Sequence, residues 1–195
     1  MLHGLWRQGN GAAKGPVRQK FASVVEPTGV ERTFHRDDVI VSKTDTKGII
    51  TYANDVFLEL AGLTEAQAIG APHSVIRHPD MPRAVFKLLW DTLFKGDEIF
   101  AYVLNMSSNG DHYWVFAHVT PTFTEDGGIT GFHSNRRVPE KSAIEAITPL
   151  YASLKAIEDR ASDRASGLQA SFDAVLKLLR DKGMSYEELI FSLAR

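Results

Sequence analysis

Two periodicities divide the chain: short runs that alternate every second residue, and stretches whose apolar positions recur every three or four. Val39–Lys43 and Ile49–Tyr52 are β-rich runs separated by a polar turn ending at Gly48. Asn54 or Asp55 then stands where a cap opens a short helix over Val56–Leu60. Thr64-Glu65-Ala66-Gln67 has capping-box spacing, and Gly70 ends that helix after little more than a turn. After a loop at Ala71–Pro79, Asp80 occupies an N-cap position, and Val85, Leu88, Leu89 and Leu93 recur at helical spacing up to Gly96. Three further strands are predicted at Ile99–Met106, His112–Thr122 and Ile129–Val138. Their connections, Ser108-Asn109-Gly110-Asp111 and Glu125-Asp126-Gly127-Gly128, are strong turn sequences. This order predicts an α+β domain, a five-stranded antiparallel sheet with short helices on one face.

Beyond Pro139 the pattern is helical. Ile144, Ile147, Tyr151, Leu154 and Ile157 form one stripe, in which Pro149 is expected to kink or restart the helix. Leu168, Phe172, Val175, Leu176 and Leu179 form a second stripe, ended by Gly183, and Ser185-Tyr186-Glu187-Glu188 is a capping box opening a last short helix through Leu193. The chain thus divides into a flexible, basic, glycine-rich N-terminal tail or N-cap at 1–33, a domain at 34–138 and a helical extension at 139–195.

The strands carry a second message. On Ile99–Met106 one row is Ile99, Ala101, Val103 and Asn105, while the opposite row, Phe100, Tyr102, Leu104 and Met106, is equally apolar. The next strand repeats this, with Tyr113, Val115, Ala117 and Val119 on one side and His112, Trp114, Phe116 and His118 on the other. A sheet with one wet face alternates apolar and polar. The outer face is therefore expected to be covered by residues before Val39, by the C-terminal helices or by a second copy of the chain, and a homodimer is the favoured arrangement.

The composition narrows the class. The 195 residues are 44% apolar and 24% charged, with Lys+Arg 22 against Asp+Glu 24 and a formal net charge of -2. That is an ordinary soluble globular balance and not a surface built for nucleic acid. No apolar run approaches the ~20 residues of a membrane span, and a cytoplasmic protein is expected. The chain has no cysteine, which excludes disulfides, thiol catalysis, cysteine-ligated metals and any light sensor working through a cysteine adduct.

Three segments carry a family resemblance: Ile50-Thr51-Tyr52-Ala53-Asn54-Asp55-Val56-Phe57, Arg77-His78-Pro79-Asp80-Met81-Pro82 and Asn109-Gly110-Asp111-His112-Tyr113-Trp114-Val115. Together, across about residues 38–138, they resemble the PAS domain of bacterial aerotaxis receptors, the two-proline hexapeptide being the most specific part. The resemblance implies the PAS fold and a non-covalently held FAD whose redox state is relayed to a chemotaxis signalling partner such as a chemoreceptor. Carried over by position, Arg77, His78 and Asp80 would support the flavin or its phosphates. Asn54 and Asn105 would sit in or beside the pocket, and Trp90 and Phe86 would line its helix side. Some relatives hold haem in the same fold, for which His73, His78 or His133 would be the axial ligand, and others hold nothing.

Without the family, the same residues have plainer readings. Asp80 is an N-cap, Arg77 and His78 are solvated, and Trp90 is core. A buried Asn105 needs hydrogen-bond partners whatever supplies them. His112 and His118 share a strand face but lie roughly 20 Å apart, too far to chelate one ion. No nucleophile elbow, phosphate-binding loop or zinc-protease helix is present. His78–Asp80 is the one candidate acid–base pair, and a sensor module is expected rather than an enzyme.

Overall fold

A computed structural model describes residues 25–193. The strands are β1 (Ile40–Asp45), β2 (Ile50–Ala53), β3 (Ile99–Met106), β4 (His112–Phe123) and β5 (Ile129–Arg137), joined in one antiparallel sheet of order β2-β1-β5-β4-β3. Between β2 and β3 lie α1 (Asp55–Ala61), α2 (Glu65–Ala68), a 3-10 turn at His73–Ile76 and α3 (Arg83–Leu93). After β5 come α4 (Lys141–Arg160), α5 (Arg164–Lys182) and α6 (Tyr186–Ser192).

The caps explain several of these boundaries. Asn54 Oδ1 accepts from the amides of Phe57 and Val41, at 3.1 and 2.9 Å, and its Nδ2 donates to the Val39 carbonyl at 2.8 Å. One side chain thus starts α1 and ties it to β1. The expected capping boxes form at Thr64 and Ser185. The expected Asp80 cap does not. Met81 N–H closes a turn onto the His78 carbonyl at 3.1 Å, so the helix starts only after Pro82, which has no capping side chain. Helix α4 runs through Pro149 as a single element. Pro149 lies on its exposed side, as does Glu145, whose carbonyl loses its partner to the missing N–H and faces water.

The inner rows of β3 and β4 pack under α3 in the main core, where Ala101, Val115 and Ala117 are fully buried. The outer rows are packed in cis by the C-terminal helices, one of the covers expected from the sequence. Tyr151 of α4 stacks on Trp114 at 6.1 Å and donates its hydroxyl to the Tyr102 carbonyl on the edge strand β3, at 2.8 Å. Phe191 of α6 packs on Phe100 and Phe116. Helix α4 then passes the β3 edge and reaches α3. There Glu158, buried on the same stripe as Ile147, Tyr151 and Leu154, accepts from Arg83 Nε at 2.9 Å and from the Ala84 amide at 3.0 Å. The cap missing from α3's own sequence is supplied by the helical extension. Gly167 lets α5 close on this joint, since a Cβ there would meet the Glu158 carbonyl at 2.7 Å.

The N-terminal basic residues up to position 24 lie outside the described residues. The last part of the segment expected to be tail is placed: residues 28–32 pair with the β3–β4 turn through Gly110 and His112, and Arg32 donates to the Leu60 carbonyl at 2.9 Å.

Candidate ligand site

The sheet's inner face and α3 do not meet everywhere. Between them is a cavity of about 300 Å³, at the lower end of the range for small-molecule sites. Phe86, Leu89 and Trp90 line it from α3, and Val103, Ala117, Val119 and Phe132 line it from the sheet. Gly48 shapes the mouth: it has φ +76, and a Cβ there would stand 3.3 Å from the Trp90 ring.

The polar side of the cavity is built by β1, β5 and the 3-10 turn. On β5, Phe132, Ser134 and Arg136 share the inward phase, so a guanidinium enters the interior. Arg136 is 5% exposed, and no acid pairs with it among the described residues. Its Nη2 donates to Ser42 Oγ at 2.9 Å and to His73 Nε2 at 2.6 Å, and it lies 5.7 Å from the Phe57 ring. Its Nη1 is buried without a partner, as is the neighbouring Ser134 hydroxyl. Burial pulls the Arg136 guanidinium down to about 10, so it is still cationic at neutral pH. His73 is held down to about 3, by burial first and by the Arg136 charge second. The imidazole is therefore neutral, with Nε2 as acceptor.

Of the residues singled out in the sequence, Arg77, Phe86 and Trp90 line this cavity. Arg77 lies 4.3 Å over the Phe86 ring and donates to the Met81 carbonyl at 2.8 Å. Burial draws it down to about 10, the nearby Glu158 offsetting part of the effect. Asn105 is two residues beyond Val103 on the inward row, bridged to Arg77 through the backbone, and its Nδ2 is buried without a partner. Asn54 is away from the cavity, its amide fully used in the cap. His78 is buried beside the His112 ring, its Nδ1 accepting from the Asp80 amide at 3.1 Å, and burial keeps it below its ordinary pKa. Asp80 is exposed and lines no part of the cavity.

Among the three histidines considered for haem, His133 is on the outer phase of β5, bonded to Asn135, and His78 lines another recess. Only His73 reaches the cavity, and its Nε2 already faces a guanidinium. The sequence reading missed Arg136, Ser42 and Ser134. The signal for Arg136 was a charge in phase with Phe132 on a strand otherwise readable as half-buried.

Comparison with known proteins agrees with this architecture. Residues 50–136 match the model of the PAS fold family. This part of the chain has the PAS fold and is similar to a segment of a bacterial aerotaxis receptor. The Aerotaxis receptor of Escherichia coli (strain K12) is 43% identical over 120 residues, covering 62% of this chain and 24% of the receptor. The Nitrogen fixation regulatory protein of Klebsiella pneumoniae is 26% identical over 99 residues, 51% of this chain and 20% of that protein. The chain thus spans about a quarter or less of the length of these relatives. Among solved structures, the dark form of the blue-light photoreceptor Aureochrome1 LOV has the same fold, with TM-score 0.51 and 23% identity over 56% of this chain and 82% of that one. No helix among the described residues is long and apolar enough to cross a membrane.

Proposed function

We propose that this PAS domain binds FAD non-covalently and reports its redox state to a signalling partner, as the resemblance to aerotaxis receptors implies. The observation that carries the reading is Arg136, a buried cation with no acid partner among the described residues and an unpartnered Nη1, lining a cavity with apolar walls. Such a group is costly to bury unless something accepts its hydrogen bonds. A flavin ring fits this demand, with two apolar faces and an edge of carbonyl and ring-nitrogen acceptors. Phe86, Leu89 and Trp90 would hold the faces, while Arg136 Nη1 and Ser134 would hold the polar edge.

When bound, the flavin supplies reversible two-electron chemistry coupled to protonation of a ring nitrogen. The chain's own residues would read that change. Arg136 stabilises negative charge at the edge it contacts, and neutral His73 fixes the guanidinium in place through Nε2. Asn105, just beyond the cavity lining on the inward row of β3 and with an unpartnered Nδ2, is the candidate amide left able to exchange donor for acceptor. Asn54 is excluded from that role by its three hydrogen bonds. Rearrangement of α3, which forms one wall, would pass through Glu158 to the helical extension, the surface from which a partner would be informed.

The test is an absorption spectrum of the purified full chain after reconstitution with FAD. Paired flavin bands at one equivalent per chain are expected, with at least about tenfold weaker binding in Arg136→Met. A Soret band, or flavin affinity unchanged by the substitution, would sink the reading.

A further inference from the structure

A second, open groove of about 700 Å³ adjoins the cavity and shares Ser74 and Arg77 with it. Its near wall is the PAS loop through His78 and Met81, and its far wall is the α4–α5 junction, with Lys155, Glu158, Asp159 and Arg164. The two walls differ in origin: one belongs to the sensor domain, the other to the helical extension.

The groove's acids are all engaged. Glu158 is held by Arg83 and the Ala84 amide, Asp159 by Lys155, and Asp163 by the amides of Ala165 and Ser166 that it caps. At the α3 N-terminus Glu158 already takes the Ala84 amide. The cations are less committed. Arg77 spends one nitrogen on the Met81 carbonyl, and neither it nor Arg164 has an acid within ion-pair distance among the described residues. The groove therefore presents an excess of guanidinium donors on both walls, beside a cavity with room for a ring and little else.

We infer that the α4–α5 junction is the outer half of the ligand site: Arg164, facing Arg77 across the groove, receives the phosphate end of a dinucleotide whose ring occupies the cavity. The inference rests on the flavin reading above and adds that this chain selects the dinucleotide over shorter flavins through a residue of its helical extension. Ligand occupancy then joins the sensor domain to that extension through the ligand itself. Guanidinium–phosphate contacts of this kind are worth at least about tenfold in affinity.

The experiment titrates the apo full chain with riboflavin, FMN and FAD and follows flavin fluorescence. Arg164→Glu is the variant, chosen because the side chain is exposed and outside every core contact. FAD is expected to bind at least about tenfold more tightly than riboflavin to the native chain, and Arg164→Glu to remove most of that advantage while leaving riboflavin affinity unchanged. Hydrogen exchange at residues 158–166 is expected to slow with FAD and not with riboflavin. Flavin binding without a preference for FAD, FAD binding unaffected by Arg164→Glu, or equal loss of both ligands would overturn this inference alone. A native chain that binds none of the three flavins would overturn the flavin reading with it.

Discussion

Two charged side chains, Glu158 and Arg136, are buried among the described residues, and their surroundings are opposites. Glu158, at the joint between α4 and α3, has both oxygens occupied, one by a guanidinium and one by a backbone amide. Arg136, on the cavity wall, has no acid partner among the described residues, shares one nitrogen between a serine and a neutral histidine, and leaves the other without a partner. A buried charge whose hydrogen bonds are all made is part of the structure. One whose hydrogen bonds are incomplete marks the place where something else is meant to bind. Removing the two should therefore have effects of opposite sign.

The largest effect is expected at the joint. Glu158→Ala leaves the Ala84 amide and Arg83 without their partner and should cost about 3 kcal/mol, near the low end for a broken buried pair because Arg83 can turn toward water. Urea denaturation of the full chain measures it, and a loss below ~1 kcal/mol would break the contrast. Arg136→Met should do the reverse in the ligand-free protein, raising stability by about 1–2 kcal/mol as an unpaired charge is replaced by an apolar side chain. A destabilised ligand-free variant would show that the guanidinium is structural after all.

Acid sharpens the same comparison. His73 has a pKa of about 3 in the fold against 6.5 unfolded, so between these values the unfolded chain binds the extra proton. Stability is therefore full above pH 6.5 and falls as the pH drops toward 3, with a slope of about 1.4 kcal/mol per pH unit from this residue. Comparing the native chain with His73→Gln isolates that slope; parallel curves would mean that His73 is free to protonate in place. The smallest effect belongs to Tyr151→Phe, which strips the Tyr102 carbonyl of its partner at a cost of about 1 kcal/mol, read from the same urea midpoints.

Most of the fold is legible because its signals are local. The alternation of β3 and β4, the Asn-Gly and Gly-Gly turns, the Asn54 cap and the boxes at Thr64 and Ser185 each depend on a few neighbouring residues. Legibility fails where a residue's partner is distant in the chain. Asp80 has the chemistry of an N-cap, yet α3 takes its cap from Glu158, 74 residues from the amide it serves. Both buried charges left a trace, each lying in phase with apolar neighbours: Arg136 with Phe132, and Glu158 with Ile147, Tyr151 and Leu154. Periodicity marks such residues as inward-facing, but whether they are paired depends on tertiary contacts that no local window contains. For the site, Phe86 and Trp90 on the cavity's apolar wall were reached through the family resemblance, helical spacing marking Val85, Leu88, Leu89 and Leu93 instead, and the polar wall, assembled from β1, β5 and the 3-10 turn, was not legible at all.

The hydroxyl that Tyr151 places on β3 also bears on the open edge of the sheet. An open strand at the end of a sheet is a template for another chain, inviting strand addition and ordered aggregation. At the opposite end, β2 is blocked by the Gly70–His73 loop, which bonds to it at Ile50. At β3 the guard is the helical extension, with the Arg77 backbone assisting near Asn105. The helices that close the outer face thus also cover the β3 edge against strand addition. A fragment cut after Val138 would carry a bare, aromatic-rich edge, and the oligomers it formed would report on the cut and not on the native protein.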